Sequence, residues 1–194
     1  MQIKISNKKK FIFFLALIAF FTSSLGYYFY LKKDNRKKEK VAVEGVEDLG
    51  KEGFDKAAEK FEKALKEDKS PHNLKMLAIS RYNQGDHKEA EKHFKELLKK
   101  DKENAYEYYN SLGNIYRDKG ELEEALEYYE KAIKEKNDYE QAYQNLIILC
   151  LYEKKPPQID KAHEFIKKGI ENIPKSKNIK NFEKIVEEKS EAND

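Results

Sequence analysis

The chain is short of the residue patterns that carry chemistry. It has one cysteine, Cys150, among 194 residues. No intramolecular disulfide can form, which excludes a disulfide-stapled scaffold and a CxxC redox site. It has four histidines, His72, His87, His93 and His163. None pairs at i, i+4 and no HExxH occurs, so a helical zinc site has no ligands to converge. Exposed positions on helices are expected for all four. There is no glycine-rich phosphate loop. The acidic run Glu121, Glu123, Glu124 and Glu127 opens a helix, where it suits the macrodipole rather than carboxylate-pair catalysis. Cys150 has no evident basic partner and reads as a packed thiol, not a nucleophile. The chain reads as non-enzymatic, with no cofactor and no metal.

The chain is also short of apolar bulk. Charged residues make up 39% and mean hydropathy is −0.94, which excludes a thick globular core and favours an elongated helical protein with a thin one. The net charge of +3 conceals a split. Residues 1–40 carry ten Lys or Arg against Asp34 and Glu39, a net +8, and the remainder carries 29 basic and 34 acidic side chains, a net −5. The later part has mixed signs and no basic face, so nucleic acid is not among the expected partners.

What is there begins with "FIFFLALIAFFTSSLGYYFYL", residues 11–31, 21 residues without a charge. As a helix it would cover roughly 30 Å, the thickness of a bilayer's hydrocarbon core. Lys8 to Lys10 bound it on one side and Lys32 and Lys33 on the other, with Tyr27, Tyr28 and Tyr30 at headgroup level. The segment reads as a single transmembrane signal anchor, behind a basic N-terminal flank at 1–10 and ahead of a basic juxtamembrane linker at 32–40. The alternative is a signal peptide cut near Ser24 and Gly26, which would release the protein. The Lys/Arg count slightly favours a cytoplasmic side after the span. The short basic stretch ahead of an apolar run is the layout of an export signal, and it favours an extracytoplasmic repeat domain on a single-pass membrane protein.

Further on, an Ala, a bulky residue four on and a small or apolar one three further recur. The trios are Ala57, Phe61, Ala64; Ala90, Phe94, Leu97; Ala125, Tyr129, Ala132; and Ala162, Ile166, Gly169, with first members 33, 35 and 37 residues apart. The spacing puts each trio on one helix face. Gly53, Gly85 and Gly120 precede three of them, where left-handed glycine can end a helix. Upstream of the third trio, Tyr109, Leu112, Gly113 and Tyr116 form one side of a partner helix. Gly113 costs about 1 kcal/mol there relative to Ala, tolerable where two helices cross closely. Ser70 followed by Pro71 marks a helix start.

Residues 108–133, "YYNSLGNIYRDKGELEEALEYYEKAI", resemble a tetratricopeptide repeat: aromatic, Leu-Gly, Tyr, Ala, aromatic, Ala, in units of about 34 residues. The motif positions are Tyr109, Leu112, Gly113, Tyr116, Ala125, Tyr129 and Ala132; Asn137 stands in place of the usual Pro. The flanking units match in part, with Leu77 and Ala78 for Leu-Gly in the second. In the fourth, Cys150 stands where Tyr is usual and the turn "KKPPQI" is stretched. The resemblance implies an all-α fold, an α-solenoid of about four helix-turn-helix repeats over 41–175, preceded by the transmembrane helix. A capping helix is expected at 176–188, with Ile179, Phe182, Ile185 and Val186 on its apolar side, then a disordered tail at 189–194.

The resemblance also implies that the first helix of each unit lines a concave face for a protein or peptide. That face would present Lys75, Ile79 and Tyr82, then Asn110, Asn114 and Arg117, then Gln141, Gln144, Asn145 and Ile148. Asn114 and Asn145 stand where family members hold a peptide backbone; Asn110 replaces the Lys of the carboxylate clamp, which argues against capture of a C-terminus. The function expected is a membrane-tethered interaction module. Self-association as an oligomeric spacer, and a non-catalytic subunit at the membrane, are the alternatives.

Overall fold

The computed structural model of the protein describes residues 53–191, with side chains to residue 187. The basic flank 1–10, the expected span 11–31, the linker 32–40, the repeat region's opening at 41–52 and residues 192–194 lie outside the described residues. Eight helices and no strand occur among the described residues: α1 Phe54–Glu67, α2 Pro71–Asn83, α3 His87–Lys100, α4 Ala105–Asp118, α5 Leu122–Glu135, α6 Glu140–Ile148, α7 Ile159–Asn172 and α8 Lys177–Glu191. None of them is long and apolar enough to cross a membrane.

Local chemistry explains where these helices begin and end. Ser70 caps α2 by accepting from the Asn73 amide, with Pro71 in the first turn, where its missing N–H costs nothing. Asp86 caps α3 through the Glu89 amide at 3.2 Å, and Ser176 Oγ accepts from the Ile179 amide at 3.1 Å ahead of α8. The two hairpin turns α2–α3 and α4–α5 share one solution. Gly85 and Gly120 adopt φ of 79° and 78°, and the next amides, Asp86 and Glu121, reach back to the carbonyls of Arg81 and Tyr116, both at 2.9 Å. This is the glycine C-cap that satisfies a helix's last carbonyls. Gly53 differs from the expectation. It precedes α1 at φ −84°, an ordinary conformation, so it opens that helix without left-handed geometry.

Each helix packs on the next in sequence, and α2–α3 and α4–α5 are the most extensive pairs. The trios form the seam. Ala57, Ala90, Ala125 and Ala162 are fully buried, as are Phe61 and Tyr129, with Phe94 and Ile166 nearly so. Burying each large side chain contributes about 1.5–3 kcal/mol. Small residues bring the backbones together and large ones fill the space left, so the core is a thin line running along the stack. Gly113 marks a close crossing: a Cβ there would lie 2.4 Å from Cε1 and 2.5 Å from Cδ1 of Tyr129. Tyr109 and Tyr116, a turn to either side of Gly113 in sequence, pack against the cluster that holds Tyr129. Both also meet the ring of Tyr128, with ring centroids at 6.3 Å and 5.0 Å.

The fourth unit departs from its siblings after Ile148, where α6 continues as a π-turn, Leu149–Glu153. Cys150 lies there fully buried, and burial pushes its thiol up to about 11. Lys154, also buried, pairs with Glu123 of α5 and so ties the long turn back onto the third unit. Helix α8 closes the stack. Ile179 and Val186 are fully buried, and Ile179 fits against Gly169 of α7, where an added Cβ would meet its Cδ1 at 3.0 Å. The helix runs on to Glu191, past the expected boundary at 188.

Candidate functional site

Successive first helices α2, α4, α6 and α8 are bridged by side chains. Lys75 of α2 pairs with Glu107 of α4. Tyr82 of α2 donates its hydroxyl to Asp118, which also accepts from Arg117 at 3.0 Å. Asn145 of α6 donates to Asn110 at 2.8 Å and to Asn114 at 3.4 Å. Asn178 of α8 donates to Glu140 of α6 at 2.8 Å.

Seven of the ten expected site residues therefore enter these bridges or a neighbouring bond. Asn110, Asn114 and Asn145 form one amide cluster. It is fixed from behind by the buried Tyr129 hydroxyl, which donates to Asn114 Oδ1 at 2.8 Å. Gln144 donates to Glu140 at 2.8 Å. Ile79 and Ile148 are half-buried, and Gln141 is exposed at the start of α6. Lys75 and Arg117 are not free cations: each is engaged by the protein's own carboxylates, and Glu153 stands 3.9 Å from Arg117 as a second anion.

Some groups on this face escape a reading of motif positions. Glu107, Asp118, Glu140 and Glu153 supply the bridging carboxylates. Asn178 comes from the capping helix; carrying the repeat register past residue 176 would have placed it in the row. Tyr152, 50% exposed, is the exposed large hydrophobic side chain among the described residues. It adjoins Glu153 in the π-turn, whose altered register hides it from a 3.6-residue pattern.

Tyrosine hydroxyls on carboxylates recur along the stack. Tyr82 is pushed up to about 12, by burial first and then by Asp118. Tyr116 donates to Glu91 at 2.8 Å and reaches about 12 for the same two reasons. Two histidines overturn the expectation of exposure. His87 and His93 are half-buried, and their Nδ1 atoms have no hydrogen-bond partner. Burial lowers the pKa of His93, because desolvation disfavours the imidazolium. His87 meets the Tyr82 ring edge-on at 5.6 Å, and His93 Nε2 stands 3.9 Å from Glu89 on its own helix. Among the described residues no three His, Cys, Asp or Glu converge as metal ligands.

The helical hairpins, glycine turns and Gly113–Tyr129 crossing have a counterpart in known sequences. Residues 75–140 match the tetratricopeptide repeat model. The tetratricopeptide signature thus covers the second and third units and their junction with the fourth. No curated protein sequence matches the chain. Among solved structures, MamA is similar at 25% identity with a TM-score of 0.59, covering 73% of this chain and 76% of that one. A tetratricopeptide repeat protein from Parabacteroides merdae aligns at 19% identity and a TM-score of 0.62, over 78% of this chain and 59% of that one. PilF of Pseudomonas aeruginosa aligns at 19% identity and a TM-score of 0.60, over 75% and 65% respectively. The architecture is a tetratricopeptide-type α-solenoid, a fold typical of protein-interaction scaffolds.

Proposed function

We propose that this protein is a membrane-tethered scaffold that holds a protein or peptide along the face of α2, α4 and α6. The observation that carries the reading is the amide cluster. Asn110, Asn114 and Asn145 come from two helices, are braced by Tyr129, and still keep unspent capacity. Asn114 uses its carbonyl oxygen and Asn145 its amide nitrogen, which leaves a donor on one and an acceptor on the other. A peptide main chain offers the complementary pair at every residue. The tether rests on the uncharged run 11–31 and its basic flanks.

Two experiments test this. Recovery of a partner on the full-length protein is compared with recovery on N114A/N145A; loss is expected, and unchanged recovery would remove the amide cluster from the reading. Alkaline carbonate extraction tests the tether, since an integral span keeps the protein in the membrane pellet and release into the supernatant contradicts it.

A further inference from the structure

The charges on the docking face specify what kind of segment it takes. Its two cations are already answered: Lys75 by Glu107, and Arg117 by Asp118 at 3.0 Å. Two carboxylates are not matched in the same way. Glu140, at the start of α6, accepts only amide hydrogens, from Gln144 and Asn178, both at 2.8 Å. Glu153, beyond the end of α6, shares Arg117 with Asp118 and stands at 3.9 Å from it. The face therefore carries an anionic surplus, one carboxylate at each end of α6, with Gln144, Asn145 and Ile148 between them.

A second feature lies in the amide cluster itself. Asn110 is 9% exposed, and its Oδ1 is spent on Asn145, while its Nδ2 donates to no side chain or carbonyl among the described residues.

We propose that this face binds an extended partner segment carrying lysine or arginine, its main chain on Asn110, Asn114 and Asn145, its cations on Glu140 and Glu153. An acidic segment, or a free C-terminal carboxylate, would meet like charge at both ends of α6 and find no uncommitted cation between them. The inference rests on the docking reading given above and adds the sign of the partner's charge.

The test uses the full-length chain in detergent micelles and short fluorescent peptides amidated at the C-terminus. The peptides share one backbone sequence and differ at two positions: lysine, glutamine or glutamate. Two surface pairs should make the lysine peptide bind about tenfold tighter than the glutamine peptide. In E140Q/E153Q, whose amides keep the shape and the acceptor oxygens, that preference should fall to about twofold or less. The N-terminal basic segment is identical in both proteins, so its influence cancels in the comparison. Equal binding of lysine and glutamine peptides, or a preference that survives E140Q/E153Q, overturns the charge inference. If all three peptides bind alike and all weaken in N114A/N145A, docking stands and the charge selection falls. If no peptide binds, docking falls with it.

Discussion

Replacing Gly113 with alanine separates two opposed effects at one atom. Alanine in mid-helix favours α4 by about 1 kcal/mol over glycine. The new Cβ would lie 2.4 Å from the Tyr129 ring, and that ring has little room to move. It is fully buried and anchored at its far end by the hydroxyl bond to Asn114. Overpacking of this kind costs about 1–3 kcal/mol, and a contact this short belongs to the upper part of that range. The net effect should be a loss of about 1–2 kcal/mol, a fall of roughly 1 M in urea midpoint for a protein of this size. In a Tyr129→Leu background the obstacle is gone and the same alanine should stabilise by about 1 kcal/mol. Urea unfolding followed by circular dichroism on the four proteins gives the coupling, expected at about 2–3 kcal/mol. If Gly113→Ala raised the midpoint of the otherwise unaltered protein, the close crossing of α4 and α5 would be refuted.

Three further outcomes follow from the same packing. Ile179→Ala, which removes a fully buried side chain of the cap, should destabilise by about 2–5 kcal/mol; a change within 0.5 kcal/mol would mean that α8 does not cover the stack. Tyr82 and Tyr116 are raised from 10.0 to about 12, so the folded state favours their protonated forms. That contribution is intact below pH 10 and is lost as pH rises towards 12; absorbance at 295 nm should show both ionising late in the folded protein, and Tyr82→Phe should remove part of the late phase. The Cys150 thiol, buried and raised to about 11, should resist iodoacetamide near neutral pH and react at an ordinary rate in urea; fast labelling of the folded protein would contradict its packed position.

The core of this fold was legible because it is periodic. The four Ala-bulky-small trios point inward as their i, i+4, i+7 spacing requires, and Gly85 and Gly120 take the left-handed turns. The amide cluster was legible in the same way, since Asn110, Asn114 and Asn145 hold repeat positions that meet across adjacent units. What stayed hidden is what has no period. Tyr82 on Asp118, Tyr116 on Glu91 and Lys154 on Glu123 each join residues far apart in the chain, and no spacing rule links their partners. Tyr128 gathers Tyr109 and Tyr116 around it although neighbouring Tyr129 occupies the motif position. His87 and His93 read as surface residues because no metal-ligand spacing gave them a partner to converge with. Their burial depends on the neighbouring elements they pack beside, such as Tyr82 of α2, whose ring meets His87 edge-on at 5.6 Å.

The central claim is that the partner meets the first helices and leaves the outer helices bare. Site-specific photo-crosslinking in cells measures this directly, with p-benzoylphenylalanine placed at Ile79 or Ile148 on the docking face, or at Lys92 or Lys167 on the opposite helices. The account expects one shared cross-linked partner from Ile79 and Ile148 and none from Lys92 or Lys167. That partner captured from Lys92 and Lys167, with Ile79 and Ile148 silent, would contradict it.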